Sequence, residues 1–138
     1  MLKRSLIAAS LGLAVLALVP TAQAQSRNSI EIRQSGYANE LAARVDGHRN
    51  RLSLEQRGVR QFISTLQDGT RNGAQVSQTG SDNQAGLNQQ GRRNQVVIGQ
   101  EGWLNDAFSS QSGAGNVVGV AQIGSGHQAV THLSLIHI

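Results

Sequence analysis

The sequence predicts an all-β fold: a β-solenoid of stacked two-strand coils, with 11-residue strand-turn units, 22 residues per coil and about five coils. Three observations predict it. Glycine returns on one eleven-residue register, apolar residues alternate along the stretch before it, and a side-chain amide stands at each end of that stretch. The segment "NQVVIGQEGWLN", Asn94 to Asn105, shows all three.

The first element lies outside the repeat. Residues 1–24 open with Lys3 and Arg4, run apolar from Leu6 to Val19, and close on Pro20 and the small-x-small sequence Ala22-Gln23-Ala24. This is the layout of a secretory signal peptide cut after Ala24. The apolar run of fourteen residues is too short to span about 30 Å of hydrocarbon, so no integral membrane segment is expected after cleavage.

The repeat occupies residues 25–132. From Asn28 it steps by eleven through Asn39, Asn50, Gln61, Asn72, Asn83, Asn94, Asn105, Asn116 and His127. Six residues after each start come Gln34, Val45, Gln56, Gln67, Gln78, Gln89, Gln100, Gln111 and Gln122. Two further on are Gly36, Gly47, Gly58, Gly69, Gly80, Gly91, Gly102, Gly113 and Gly124. A flexible glycine-rich linker would scatter its glycines instead. Residues two and four after each start are apolar or small, as in Leu52/Leu54, Ala74/Val76, Val96/Ile98 and Val118/Val120. That spacing puts them on one face of a strand. An eleven-residue period also suits a right-handed helical coil, but a Gly and usually an Asn in every unit would ruin a long helix. Each unit therefore reads as a strand of about seven residues and a turn around its Gly, as in "QDGTRN" and "QTGSDN".

On this reading the Asn, two apolar residues and the Gln of each unit all face inward. A buried amide without hydrogen bonds costs about 1–3 kcal/mol, and one strand alone cannot supply them. Strands stacked about 4.8 Å apart can, each amide bonding its counterparts above and below. Two units make one flat coil, so the ladders run at twenty-two: Asn28, Asn50, Asn72, Asn94, Asn116 with Gln34, Gln56, Gln78, Gln100, Gln122 on one side, and Asn39, Gln61, Asn83, Asn105, His127 with Gln67, Gln89, Gln111 on the other, where Val45 interrupts. Outward positions lack such regularity, and Arg33 is expected above Glu55.

Composition narrows the function classes. At 38% hydrophobic and 3% aromatic the chain is poor in the residues that fill a globular core. It has no Cys, which excludes disulfides and thiolate metal sites. Outside the leader, ten arginines face eight carboxylates, a net charge of about +2 that is too weak to imply nucleic acid. Seven of those arginines lie between Arg27 and Arg60, interleaved with Glu31, Glu40, Asp46 and Glu55. A basic face would take anionic surfaces or extracellular DNA; the plainer reading is solvated charge that restrains aggregation.

At the lattice of Asn, Gln and Gly the sequence resembles the curlin repeat, the N-x5-Q-x-G-x-x-N-x5-Q pattern of the subunits of bacterial curli. The resemblance runs from Asn28 to about His132. It implies a secreted functional amyloid, a fimbrium-like fibre of the biofilm matrix on the cell surface of a Gram-negative-type bacterium. It further implies an outer-membrane secretion pore, periplasmic chaperones and a partner curlin subunit. Val45 breaks the pattern, as do Gln61 and His127 where Asn is expected.

No catalytic constellation is present in the sequence. His48, His127, His132 and His137 are scattered without metal-ligand spacing, "GAGNVVG" has the wrong spacing for a dinucleotide loop, and Asp46, Asp68 and Asp82 do not form calcium-binding repeats. The expectation is a non-enzyme with no cofactor. Phe62 and Phe108 are expected outward and Trp103 in a turn. The last residues, 133–138 ("LSLIHI"), put Leu133 where Gln is due and read as a non-native tail. The alternatives to a major fibre subunit are the minor, nucleating subunit and a monomeric binding solenoid. With no residues left over for a polar cap, both ends of the stack are expected open.

Overall fold

The computed structural model describes residues 3–9, 16–18 and 27–135, with the side chains of the first two segments excepted. The cleavage site at Ala22–Ala24 and the end of the tail, residues 136–138, lie outside the described residues. Ten strands carry the repeat: β3 (Ser29–Tyr37), β4 (Glu40–His48), β5 (Arg51–Val59), β6 (Phe62–Thr70), β7 (Gly73–Ser81), β8 (Gln84–Arg92), β9 (Gln95–Trp103), β10 (Asp106–Ala114), β11 (Val117–Ser125) and β12 (Gln128–Leu135). Two more, β1 (Lys3–Ala9) and β2 (Leu16–Leu18), precede them.

The chain alternates between two parallel sheets, in the orders β1-β3-β5-β7-β9-β11 and β12-β10-β8-β6-β4-β2. Register never slips. Gln34 pairs with Gln56, Gln56 with Gln78, Gln78 with Gln100 and Gln100 with Gln122, always twenty-two residues apart. The result is a β-solenoid of about five turns. Its inner faces meet over a narrow core of Ile32, Leu41, Leu52, Leu54, Ile63, Val76, Leu87, Val96, Ile98 and their neighbours. Because the period of a strand is two, every residue an odd number of places after a unit start turns outward. Thr65, Ala107 and Ser109 complete the inner positions that the apolar pattern leaves unfilled.

Two expectations need correction. Strands are nine residues long in β3 to β11, not about seven, because pairing continues through the glycine. The glycine is a bent strand residue, and the turn itself is the following left-handed residue plus the next unit's first residue. Glycine is required there: Gly80 has φ +119°, and a Cβ on it would lie 1.9 Å from the carbonyl oxygen of Gly102 in the next coil. In the uncleaved chain β1 pairs with β3 and β2 with β4 in parallel. Finally, Arg33 does lie in register with Glu55, but its ion pair runs along its own strand to Glu31, and that of Arg57 runs to Glu55. Residues two apart on an outer strand face are close enough to compete with the cross-strand partner.

Candidate functional site: the inward amide ladders

The inward polar positions form two different hydrogen-bond systems. Gln residues bond to one another. Gln78 Nε2 donates to Gln100 Oε1 at 2.7 Å and to the Phe62 carbonyl of the facing sheet at 3.1 Å, and Gln78 Oε1 accepts from Gln56 Nε2 at 3.3 Å. The same rungs join Gln34 to Gln56, Gln100 to Gln122, Gln67 to Gln89 and Gln89 to Gln111. Gln56, Gln67, Gln78 and Gln89 thus tie their coil to the next and, through a facing carbonyl, tie one sheet to the other.

Asn residues bond to the main chain instead. Asn83 Nδ2 donates to the carbonyls of Thr79, four residues back, at 3.2 Å and of Gly102, nineteen ahead, at 3.0 Å. Its Oδ1 accepts from the Asn105 N–H, one coil on, at 3.1 Å. Asn39, Asn50, Asn72, Asn94 and Asn105 repeat all three contacts. The physical reason is reach. With one methylene fewer than Gln, Asn cannot leave its own corner, and it satisfies the carbonyls that the turn would strand. An expectation of Asn-to-Asn side-chain rungs misses this, and the glycine two residues beyond each Gln was the available signal.

These amides are buried as deeply as the apolar core: Gln56, Gln67, Gln78, Gln89, Asn83, Asn94 and Asn105 all have 0% exposure. Asn28, Gln34, Asn116 and Gln122, nearer the ends, are buried as well. Where the sequence departs from the lattice, bonds are lost. Val45 lies in register with Gln67 and has nothing to donate, and Gln67 Oε1 is left buried without a partner. Gln61 in an Asn place keeps both donor bonds, to Arg57 and Gly80 carbonyls at 3.1 Å. Its Oε1, however, is buried and unpaired. His127 is exposed and keeps the contact to the Ile123 carbonyl at 3.1 Å. Leu133 pairs in register with Gln111 but cannot extend its ladder.

The outer surface shows no comparable order. Phe108 lies over Gly86 beside Phe62 and Leu66, making one shallow depression, while Tyr37 and Trp103 stand exposed at the turns. Arg60 and Asp82 make a two-point ion pair at 2.7 and 2.8 Å. The hydrogen bond from Arg60 holds the Asp82 carboxyl below its ordinary value. Among the described residues, no group of three or more His, Asp or Glu is placed to hold a metal ion. His48 and His132 lie in different ladders of the outer surface. No protein-family model and no curated protein sequence matches the chain.

Proposed function

We propose that the chain, once cleaved of residues 1–24, is a secreted structural subunit that polymerises into a curli-type functional amyloid fibre of the biofilm matrix. Assembly proceeds by templated strand stacking, each coil presenting its amides and backbone to the next. The observation that carries this reading is the rung between coils. In every unbroken rung the Asn oxygen accepts an N–H from the following coil, as Asn94 Oδ1 does from Asn116 at 3.0 Å, and each Gln rung is a side-chain bond in the same register, as from Gln78 to Gln100. The same contacts made between the coils of two copies would carry the ladders from one chain into the next.

The other parts of the proposal follow from the curlin resemblance. They are an extracellular location, passage through an outer-membrane pore, help from periplasmic chaperones, and co-assembly with a partner curlin subunit as major or nucleating component. Residues 3–9 and 16–18 cover the first coil in the whole chain, so removal of the leader also uncovers the edge of that coil. The outer faces of the two sheets carry no regular Thr or aromatic column of the kind a monomeric binding solenoid would present.

The test is dilution of the chain without residues 1–24 from denaturant. A disordered chain that converts after a lag into fibres, with diffraction spacings of about 4.7 and 10 Å, is expected. A β-rich species that stays monomeric at high concentration would overturn the proposal.

A further inference from the structure

The ten arginines of the repeat divide by place. Arg33, Arg44, Arg57 and Arg60 are ion-paired, to Glu31, Asp46, Glu55 and Asp82. Arg27, Arg49, Arg51, Arg71, Arg92 and Arg93 have no ion pair among the described residues, and all six are exposed. These six share one edge of the solenoid, where β4, β6 and β8 end and β3, β5 and β9 begin. Backbone bonds carry the stack through this edge, from Arg71 N–H to the His48 carbonyl and from Arg93 N–H to the Thr70 carbonyl, both at 3.0 Å. Arg49, Arg71 and Arg93 therefore form a column with one guanidinium per coil, about 4.8 Å apart at the backbone. The carboxylates nearest this edge are Asp46, which pairs with Arg44, and Asp68.

Two features of the column are unfavourable within the chain itself. Arg49, Arg71 and Arg93 have φ of +59°, +59° and +56°, a conformation suited to glycine, and Gly115 occupies the same place one coil on. Like charges stacked in register also repel. The opposite edge shows the contrast: Arg60 occupies the equivalent turn position, and the residue one coil on is Asp82, its ion partner. At the basic edge Arg27, Arg49 and Arg71 are each followed one coil on by another Arg.

We infer that this edge binds a linear acidic polysaccharide lying along the solenoid axis. Guanidinium groups pair with carboxylates through two parallel hydrogen bonds, and a row of them suits a polymer with repeated charge. The edge is one turn wide and carries no Phe, Tyr or Trp, His48 being its single ring among the described residues; the exposed rings Tyr37 and Trp103 are at the opposite edge. Single-stranded nucleic acid is held by aromatic platforms on which successive bases stack, and one imidazole does not make such a series. A second copy fits less well, because the carboxylates without partners on the opposite edge, Glu40, Glu101 and Asp106, leave the central Arg51 and Arg71 unmatched. The inference rests on the fibre reading only for continuity, since stacking of subunits would repeat the six-arginine cluster along the fibre and multiply weak contacts.

The test uses the leaderless chain and fluorescent polygalacturonate, with neutral dextran, single-stranded DNA and duplex DNA as comparisons. Fibre mass and bound polymer are measured in the same pellet, so failure to assemble is distinguished from failure to bind. If the chain stays soluble, anisotropy of the labelled polymer reads the same binding. The expected result is salt-sensitive binding of polygalacturonate, weakened at least tenfold in Arg49→Gln/Arg71→Gln/Arg93→Gln. The triple change Arg33→Gln/Arg44→Gln/Arg57→Gln removes the same charge from ion-paired positions and should weaken it less than threefold. Equal weakening by both triples would overturn the inference, as would tighter binding of either DNA. It would also fail if the edge variant's only effect were the loss of sideways bundling between fibres in the absence of polymer.

Discussion

The Gln and Asn positions of the repeat carry the same functional group and do different work. Gln78 reaches its counterparts in both neighbouring coils and a carbonyl of the facing sheet. Asn83 reaches three main-chain groups around one corner. Gln therefore joins coil to coil by side chains, while Asn fixes the shape of the turn and offers its side-chain oxygen to a backbone N–H of the next coil. Two of the three faults in the lattice are informative because each affects one system only. Val45 leaves a Gln oxygen unpaired, and Gln61 at an Asn place leaves its own oxygen unpaired.

The largest effect is expected where the corner has no room. Gly80→Ala puts a Cβ against the Gly102 carbonyl and holds Ala at φ +119°. Strain and overlap together cost about 3–5 kcal/mol, enough to abolish seeded fibre growth. Next is Asn83→Ala, which strands three main-chain partners at a fully buried position, at about 2–4 kcal/mol. Asn83→Gln separates the roles: following Gln61, it should keep both donor bonds and lose the acceptor, for about 1 kcal/mol. The residual soluble concentration after seeded growth reads both, rising tenfold per 1.4 kcal/mol. The smallest effect is a gain. Gln61→Asn restores an oxygen able to accept the Asn83 N–H and removes a buried unpaired atom, so the residual concentration should fall about fivefold, for about 1 kcal/mol.

The period alone carried the architecture. Nine glycines in phase, with alternation before each, leave little choice but strands stacked at twenty-two residues, and the observed register follows that count without a slip. The inward face was equally readable, because offsets of two, four and six on a strand cannot diverge. What could not be read were properties that depend on side-chain reach and on the chain's path at the corners. Asn and Gln look alike as amides, and only the geometry of the turn shows which carbonyls Asn can touch. Strand length depended on whether a glycine at φ near +110° still pairs, and Gly91 at +110° does. The Arg-rich edge needed three dimensions, since Arg27, Arg49, Arg71 and Arg93 are twenty-two residues apart and look like scattered charge in the sequence.

The central claim is that buried amides, and not polar residues in general, drive stacking. Seeded growth of Gln78→Ala against Gln75→Ala tests it most directly. Gln78 is fully buried between Gln56 and Gln100, whereas Gln75, three residues earlier on the same strand, is exposed. Gln78→Ala should cost about 1–3 kcal/mol per added subunit and raise the residual soluble concentration roughly five- to hundredfold. Gln75→Ala should change it by less than about threefold, within the ~0.5 kcal/mol of an ordinary surface substitution. Equal behaviour of the two variants would contradict the claim.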